Sequence, residues 1–484
     1  MKVLFASSEI APFAKTGGLA DVCEALPKAL LKLGVAPSLI LPLYRIVKER
    51  DWGLELIVED LPIRLGHYEL KADIHRGWLT EKIPAFFVQS DEFFDRTYLY
   101  GTPKGDYFDN AQRFMFFPKT VFALSEALDI KWDIIHCHDW QTALVPVYLK
   151  ALFLGHPLFK GIRTMLTIHN LGYQGVFPAE TFPLLGLPNQ LFSMEGMEFW
   201  GKINFLKSGI IFADAVSTVS PTYAKEMQTP KFGYGLEGVL KVNAHKLIGI
   251  LNGVDYSAWN PEDDPHLVAH YTKDEPGGKK KCKEDLLKTF QLPNKLMERP
   301  VLGMISRLAE QKGIDILCQV VDKLMKTGAG LVILGSGEEK YEQRLVELAN
   351  RYPEQMKVKI AFDESLAHKI EAGCDIYLMP SLYEPCGLNQ MYSLKYGTLP
   401  IVRKTGGLAD TVVEVDTKKG EGTGFTFTAY NPGALWKAIE KALNCFRDRE
   451  PWLRLMLKAM SQDFSWTQSA KEYLKLYRQL LRQR

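Results

Sequence analysis

Short apolar runs rich in β-forming residues alternate with longer segments of helical periodicity through most of this chain. Such alternation predicts βαβ units that close a parallel sheet. The runs fall into two series, so the sequence predicts an α/β protein with two sheets. The first series predicts strands at residues 2–7, 37–43, 85–89, 134–138, 164–169 and 215–219. The second series predicts strands at residues 301–306, 331–335, 357–361, 376–380 and 399–403.

A polar stretch rich in proline and glycine separates the two series, with breaker clusters at 260–265 and 276–278. A chain of 484 residues is too long for one ordinary hydrophobic core, so this stretch is typical of a linker between two domains. We therefore predict an N-terminal Rossmann-like domain at 1–245 and a C-terminal Rossmann-like domain at 246–463.

The last segment, 464–484, has the periodicity of one more helix, with Ser465 as a candidate N-cap. Five side chains fall on one face of this helix: Trp466, Ala470, Tyr473, Tyr477 and Leu481. That face needs a docking surface. The pattern leaves two docking surfaces open. The helix packs either on the second domain or, if it crosses back, on the first domain.

Composition and charge exclude several classes of protein. No apolar run approaches the roughly 20 residues that a membrane-spanning helix needs, and the short apolar N-terminal run favours a first strand over a targeting segment. The net charge is only +2 and no basic stripe occurs, which gives nucleic-acid binding little support. The seven cysteines are scattered and never spaced as a metal-binding pair, so we expect reduced thiols, no metal site and a cytoplasmic location.

One octapeptide occurs almost twice, each time after a predicted strand. Residues 15–22 read Lys-Thr-Gly-Gly-Leu-Ala-Asp-Val, and residues 404–411 differ only in their final threonine. Paired glycines such as Gly17 and Gly18 let a ligand approach the backbone closely, and the N–H groups that open the next helix form an anion site. A diphosphate would suit either loop. A tight strand-to-helix turn is the alternative that a lone pair of glycines would favour.

The first octapeptide resembles the N-terminal signature of bacterial glycogen synthases and plant starch synthases. Further stretches resemble motifs of that family in the family's order: residues 138–141, 167–175, 251–255, 306–308, 311–313 and 380–388. The resemblance implies the GT-B fold, in which two Rossmann-like parallel-sheet domains face each other across a deep cleft. It also implies retaining transfer of glucose from ADP-glucose to an α-glucan, without a cofactor. It leaves the oligomeric state open.

Two basic residues are candidates for binding the donor's pyrophosphate. Departure of a diphosphate develops negative charge on the phosphate, so the site needs fixed cations. Arg307 and Lys312 follow the strand predicted at 301–306 and can converge on one pyrophosphate. A surface pair is the alternative, but ligands favour the carboxyl ends of parallel strands. Lys15 is expected to supply a third cation from the opposite domain, which makes domain closure a condition for activity.

Glu384 lies between the strand predicted at 376–380 and a helix predicted to begin near Leu388. By resemblance this glutamate contacts the transferred glucose, while the N–H groups around Gly387 and Leu388 face the phosphates, as suits a helix N-terminus. Cys386 lies in the same segment, residues 384–388, which we call the donor loop. It is expected to be a small packing residue and not a nucleophile. The alternative for Glu384 is a first-turn glutamate that the helix dipole favours.

His169 closes the strand predicted at 164–169. A histidine in such a place is often a satisfied structural group, but by resemblance this one lies beside the donor sugar, where it can form a hydrogen bond near C1 and the 6-hydroxyl. Asp21 is expected to orient neighbouring catalytic groups, and Asp139 to do the same on the acceptor side. Asn252 is expected to hold sugar hydroxyls at the hinge.

Three aromatic residues complete the predicted site. Phe362 occupies the position where the family often has a tyrosine that stacks on the base, and its ring retains that capacity without the hydroxyl. Tyr98 and Tyr100 lie in a loop that, by resemblance, borders the acceptor channel, and aromatic faces suit pyranose rings. Core packing is the alternative for either tyrosine.

No motif offers a carboxylate nucleophile for double displacement, so we favour a front-face substitution in which the leaving diphosphate takes the acceptor's proton. Three rivals stay open. One is another GT-B transferase, for example one that uses UDP-glucose, and another is a nucleotide-sugar epimerase. The third is a catalytically silent glucan-binding protein. Phosphorylase chemistry would need a lysine that binds pyridoxal phosphate, and no motif identifies one.

Overall fold

The computed structural model describes residues 1–482 of the chain. The chain forms two compact units. The first contains Met1–Val219, Ala224–Gly253 and the chain from Trp466 onward, and the second contains Ser220–Tyr223 and Val254–Ser465. The chain passes to the second unit after Gly253, a few residues beyond the predicted boundary at 245.

Within residues 1–482, the first unit contains one large sheet and two small ones. Its strands are β1 (Lys2–Ala6), β2 (Ala36–Pro42), β3 (Glu55–Leu65), β4 (Tyr68–Thr80), β5 (Ile83–Gln89), β6 (Gly101–Thr102), β7 (Gly105–Asp106), β8 (Ile134–His138), β9 (Arg163–Ile168), β10 (Val176–Pro178), β11 (Glu198–Phe199), β12 (Lys202–Asn204), β13 (Ala215–Thr218) and β14 (Leu247–Gly249). The large sheet has the order β14-β13-β9-β8-β1-β2-β5-β4-β3. It is parallel from β14 to β5, and β4 and β3 add an antiparallel edge.

The central strand β1 shows why this sheet forms. All of its residues after Lys2 are buried, as expected for a parallel strand covered on both faces. Val3 pairs with Ile134 of β8 on one side and with Pro37 of β2 on the other. The α-helices of this part of the chain are α1 (Gly18–Lys32), α2 (Arg45–Lys48), α3 (Asp91–Phe94), α4 (Asn110–Ala127), α5 (Leu144–Leu152), α6 (Phe205–Phe212), α7 (Pro221–Glu226) and α8 (Glu237–Val242). Short 3-10 helices occur at Ala179–Leu185, Asn189–Leu191 and Ala244–Lys246.

The second unit is a doubly wound parallel sheet. Its strands are β15 (Val301–Ile305), β16 (Gly330–Gly335), β17 (Met356–Ile360), β18 (Ile376–Met379), β19 (Leu399–Arg403) and β20 (Phe425–Phe427). Their order β17-β16-β15-β18-β19-β20 is the 3-2-1-4-5-6 order of the Rossmann fold. The α-helices are α9 (Gly278–Thr289), α10 (Ile314–Cys318), α11 (Val321–Met325), α12 (Glu339–Arg351), α13 (Glu364–Gly373), α14 (Asn389–Lys395), α15 (Gly406–Thr411), α16 (Pro432–Phe446) and α17 (Arg449–Met460), with 3-10 helices at Asn294–Glu298 and Glu310–Lys312.

Alternate residues of the second sheet face two separate cores. Leu302 of β15 and Leu331 of β16 belong to the core that contains Leu345 of α12. Val301 and Val332, one residue away on the same strands, belong to the other core, which also contains residues of α9 and α13. Because successive strand side chains point to opposite faces, these apolar runs specify a sheet covered on both sides.

The terminal helix α18 (Trp466–Arg482) belongs to the first unit and packs against α1. The Tyr477 hydroxyl, fully buried, forms a 2.7 Å hydrogen bond with Nδ1 of His136 on β8. Of the two docking surfaces that the sequence left open, the structure has the one on the first unit. The sequence predicted that Leu481 continues the buried face of this helix. In the structure Leu480 is buried instead and Leu481 is only partly buried, because the contact continues three residues after Tyr477 and not four.

Every predicted strand is present within two residues of its predicted bounds, and the prediction of an α/β chain with two parallel sheets is confirmed. Among the α-helices of residues 1–482, none has the length and apolar character needed to cross a membrane. The same residues contain no cluster of three or more His, Cys, Asp or Glu side chains that could hold a metal ion.

Candidate active site

Several of the predicted site residues lie at the topological switch points of the two sheets. In the second unit β15 lies between β16 and β18, so the chain leaves β15 toward one edge of the sheet and later returns on the other side. Ligands of doubly wound folds bind beside the carboxyl ends of the strands at such a point. Lys312 follows β15, and Glu384 follows β18. In the first unit β1 lies between β2 and β8 in the same way.

Lys312 and Glu384 form a closely spaced ion pair. The Lys312 Nζ lies 2.6 Å from Oε2 of Glu384, and the Ser381 hydroxyl donates to the same oxygen at 3.1 Å. The two side chains are only 19% and 9% exposed. Gly313 makes this approach possible because its φ is +76° and a Cβ there would lie 2.2 Å from the Pro380 carbonyl oxygen. The structure thus brings two of the predicted catalytic residues together.

The second octapeptide supports the segment that carries Glu384. The N–H of Gly407 donates to the carbonyl oxygens of Glu384 and Pro385 at 3.2 and 3.1 Å. A Cβ on Gly406 would lie 1.9 Å from the Glu384 oxygen, and a Cβ on Gly407 would lie 2.1 Å from the Cys386 oxygen. The prediction that a diphosphate would suit either octapeptide loop is therefore wrong for this one, because its paired glycines pack against protein backbone.

The donor loop itself presents free backbone donors. Gly387 has a φ of +72°, and within residues 1–482 the N–H groups of Gly387 and Leu388 donate to no acceptor. Cys386 is buried, in agreement with a packing role. Arg307 is exposed, and among the residues that the structure describes its guanidinium contacts only Gln311, at a long 3.5 Å.

Phe362 lies just beyond the end of β17, and its ring is 93% exposed. The next residue, Asp363, caps α13 by accepting a 2.9 Å hydrogen bond from the N–H of Leu366. The backbone at Phe362 is thus fixed, while the ring has no role in the core. The structure therefore excludes core packing as the reason for this aromatic residue.

In the first unit, Glu9 organises the loop that carries the first octapeptide. The buried Glu9 carboxylate accepts hydrogen bonds from the N–H and hydroxyl of Thr16, from the N–H of Gly17 at 3.2 Å and from the Tyr100 hydroxyl at 2.7 Å. Ser8 lies within 2.8 Å of the same tyrosine hydroxyl. Of the N–H groups that the sequence predicted as an anion site, that of Gly17 is thus already bound to a carboxylate.

The first octapeptide differs from the second in the space around its glycines. A Cβ added to Gly17 or Gly18 would meet no atom of residues 1–482 within 4 Å, and Gly17 is in the extended region, with φ −158°. Neither packing nor backbone conformation therefore requires glycine here. Beside this loop Lys15 pairs with Asp21 at 2.6 Å, and burial raises the pKa of Asp21 although Lys15 opposes the shift.

Three histidines form a connected group where β8 and β9 end. Nδ1 of His138 lies 3.0 Å from Nε2 of His169, and the rings of His136 and His138 lie 4.2 Å apart. Asp139, in the left-handed region with φ +56°, accepts hydrogen bonds from the N–H groups of His169, at 2.7 Å, and Asn170. Asp139 thereby fixes the backbone that carries His169.

Burial controls the charges of this group. Desolvation lowers the pKa of His136 and of His169 to about 3, and it lowers the pKa of His138 well below its ordinary value. Desolvation also raises the pKa of Asp139 to about 7, although the two N–H groups that bind its carboxylate act to lower that pKa. The three imidazoles are therefore neutral at physiological pH, and they act as hydrogen-bonding groups and not as cations.

Asn252, Tyr98 and Tyr100 have different environments. Asn252 is buried, yet its Oδ1 has no hydrogen-bond partner in the described part of the chain, which leaves it able to bind a ligand hydroxyl. Tyr98 is 48% exposed. The Tyr100 hydroxyl is part of the Glu9 network, so its hydroxyl is engaged in structure.

Within each unit the structure brings together groups that sequence reasoning had treated separately. Lys312 meets Glu384, Lys15 meets Asp21, and Asp139 binds the backbone of His169. Two residues had no predicted role, Glu9 and His138. Both stand at the carboxyl ends of strands at a switch point, β1 and β8, and that position is the signal that could have identified them.

Comparisons with known proteins agree with the resemblance noted in the sequence. The family model described as starch synthase catalytic domain matches residues 2–242, and the model described as glycosyl transferases group 1 matches residues 288–452. The glycogen synthase of Koribacter versatilis is 47% identical over 477 residues, which cover 99% of this chain and 98% of that protein. The glycogen synthase of Thermotoga petrophila is 46% identical, with 99% of each chain covered.

Solved structures give the same result. The catalytic domain of starch synthase IV from Arabidopsis thaliana, bound to ADP and acarbose, matches with a TM-score of 0.89, 35% identity and 99% of each chain covered. Sucrose-phosphate synthase from Thermosynechococcus elongatus matches with a TM-score of 0.58 at 17% identity, a likeness of fold alone.

Proposed function

Because the chain belongs to the family of glycogen and starch synthases, we propose that it transfers glucose from ADP-glucose to the non-reducing end of an α-1,4-glucan. The reaction retains the configuration at C1 and releases ADP. The observation that carries the proposal is the Lys312–Glu384 pair at the switch point of the second sheet, together with the N–H groups of Gly387 and Leu388, which no acceptor of residues 1–482 binds. The starch synthase that resembles this chain was solved with ADP and acarbose, a nucleotide and a glucan-like ligand.

The second unit binds the nucleotide in this proposal. Arg307 and Lys312 supply positive charge to the pyrophosphate, and the N–H groups of Gly387 and Leu388 bind its oxygens. The exposed ring of Phe362 stacks on the adenine. Lys312 has three N–H donors and donates one of them to Glu384, so it can bind phosphate while its ion pair with Glu384 stays intact.

The transferred glucose is bound by polar groups without a full positive charge. Glu384 accepts hydrogen bonds from sugar hydroxyls, and neutral His169 forms a hydrogen bond near C1 and the 6-hydroxyl. Lys15 adds a cation at the phosphate, and Gly17 and Gly18 allow the ligand to approach the backbone, which explains glycines that the chain's own packing does not require.

The chemical step is a front-face substitution. The bond between C1 and the diphosphate oxygen breaks as the acceptor's 4-hydroxyl oxygen attacks the same face of C1, and the hydroxyl proton passes to the departing ADP. The positive charge at C1 and the negative charge on the diphosphate develop together. Fixed groups that bind this charged state more tightly than the ground state lower the barrier.

The direct test is nucleotide release from ADP-glucose in the presence of glycogen, with UDP-glucose as a parallel donor. We expect ADP release that depends on glycogen and that Glu384→Ala and His169→Ala reduce strongly in kcat while the affinity for ADP stays close to the parent value. A folded protein that binds glycogen but releases no nucleotide would favour the silent glucan-binding protein. UDP release at a higher kcat/KM than ADP release would favour the UDP-glucose transferase.

A cytoplasmic location is part of the proposal. It is supported by seven cysteines that are all free thiols in a structure with several of them buried, which suits a reducing compartment. Thiol titration of protein purified from the producing cells without reductant should then find all seven in the reduced form after unfolding.

A further inference from the structure

The hydrogen bond between His138 and His169 connects a buried residue of unassigned role to a residue of the proposed site. His138 is fully buried at the end of β8, with the Phe5 ring stacked on one side at 5.8 Å and the His136 ring at 4.2 Å. Its Nδ1 lies 3.0 Å from Nε2 of His169, whereas its Nε2 has no partner in residues 1–482.

Each of these imidazoles carries one proton, because burial disfavours the cationic form of both. A hydrogen bond between two neutral imidazoles has one donor, so there are two arrangements. In the first, Nδ1–H of His138 donates to Nε2 of His169. In the second, Nε2–H of His169 donates to Nδ1 of His138, and the proton of His138 must then lie on its Nε2.

The second arrangement places an N–H group in an apolar, fully buried position without an acceptor. Orphaned buried N–H groups are rarer in proteins than under-satisfied acceptors, so the first arrangement is favoured. In it, Nε2 of His138 is a bare acceptor, and the single proton of His169 lies on Nδ1. The described chain supplies no partner to that Nδ1.

We propose that His138 is a positioning residue that fixes His169 in the Nδ1–H tautomer and fixes its ring orientation. His169 then presents a hydrogen-bond donor to the sugar or the departing phosphate. This inference deepens the proposed function and rests on it for the role of His169. It differs from the role of Asp139, which binds the backbone N–H of His169 and leaves the tautomer undetermined.

The tautomer can be measured without activity. Two-bond ¹H–¹⁵N correlation spectra of protein labelled at its ten histidines distinguish a protonated from a bare ring nitrogen, and His169→Ala identifies the signal of His169. We expect a neutral ring with its proton on Nδ1 in the wild-type protein. A proton on Nε2 of His169 overturns the proposal.

Two nearly isosteric variants test the positioning role. In His138→Asn the amide nitrogen can stand where Nδ1 stands and donate to His169, whereas His138→Leu has the same shape and no donor. We expect His138→Leu to lose on the order of tenfold to a thousandfold in kcat, as when a catalytic histidine loses the partner that sets its tautomer. His138→Asn should recover most of that loss, and the affinity for ADP should stay within about twofold in both.

Ser125→Ala is the matched control for folding, because it removes a buried 3.0 Å hydrogen bond with Trp132 in the same unit and does not contact the histidines. It should lower Tm without changing kcat or the spectrum of His169. A His138→Leu protein with parental kcat, or equal losses of kcat in His138→Leu and His138→Asn, overturns the positioning role. If His169→Ala itself retains the parental rate, the proposed function of His169 fails, while the spectrum still decides the tautomer.

Discussion

The Lys312–Glu384 pair joins the proposed chemistry to the stability of the second unit. Lys312→Met keeps most of the aliphatic stem but removes the charge, so that within residues 1–482 the Glu384 carboxylate, 9% exposed, keeps only the Ser381 hydroxyl as a donor. Removing one partner of a buried ion pair costs about 3–5 kcal/mol. Because Lys312 is 19% exposed and solvent screens the pair in part, we expect the lower end, about 3 kcal/mol.

Glu384→Gln is the matched change on the other side of the pair. Its amide oxygen can still accept from Lys312 and Ser381, so the expected cost is about 1 kcal/mol. A change of 1 kcal/mol moves Tm by about 2–4 °C in a domain of this size, so we expect about 6–12 °C for Lys312→Met and roughly 2–4 °C for Glu384→Gln. Because the two changed groups interact, the double variant should lose less stability than the sum of the two single losses. We expect the difference to be roughly 1 kcal/mol or more.

Calorimetry of the four proteins provides the double-mutant cycle, and glycogen-dependent ADP release provides their turnover. Every variant should lose turnover, and the loss in Glu384→Gln should exceed what its small change in Tm could explain. Additive losses of stability, or a Lys312→Met protein with the parental Tm, would refute the electrostatic reasoning. A Glu384→Gln protein that turns over at the parental rate would show that catalysis does not use the charge of this carboxylate.

Three further perturbations test other parts of the argument. The pKa of Asp139 is raised to about 7 in the folded protein, whereas an unfolded aspartate has a pKa of about 3.9. Ionisation of Asp139 therefore destabilises the parent protein as the pH rises from about 4 to 7. In that window the stability of Asp139→Asn, measured by urea unfolding, should increase relative to that of the parent by up to about 1.4 kcal/mol per pH unit. Gly17→Ala should keep the parental Tm but turn over ADP-glucose more slowly. In Gly407→Ala the added Cβ would lie 2.1 Å from a backbone oxygen, so both its Tm and its turnover of ADP-glucose should be lower than those of the parent. Thermal unfolding and steady-state kinetics measure the two quantities. Tyr477→Phe leaves Nδ1 of the buried His136 without its partner and should cost about 1–3 kcal/mol in urea unfolding without changing the affinity for ADP.

The parallel strands were predictable from the sequence because they are buried on both faces. A run such as β16, in which every residue is buried, has no polar face to obscure it. The antiparallel pair β3 and β4 could not be recognised in the same way. None of the first six residues of β3 is buried, and bulges interrupt its pairing with β4, so only its last five residues, 61–65, show the alternation of buried and exposed side chains that is typical of a strand.

The two octapeptides mark the limit of reasoning from local sequence. Their residues are almost the same, and both begin a helix after a strand, yet the first glycine pair has open space around it and the second packs against the Glu384 segment. The difference depends on which loop of the sheet lies opposite, which the strand order determines. For the same reason the sequence did not predict Glu9, whose carboxylate reaches Thr16 and Gly17 only after β1 and α1 have folded together.

The carboxylates at these sites do not conflict with the binding of a diphosphate. Each of the two lysines concerned is paired with one carboxylate, Lys15 with Asp21 and Lys312 with Glu384. A lysine ammonium has three N–H donors, so one ion pair fixes its position and leaves two donors for phosphate oxygens. A lysine with a free side chain would have to lose rotamer freedom on binding, at a cost of up to about 1.5–2 kcal/mol. The pairs therefore place each cation before the donor arrives, which is the condition for electrostatic stabilisation of a charge that develops only in the transition state.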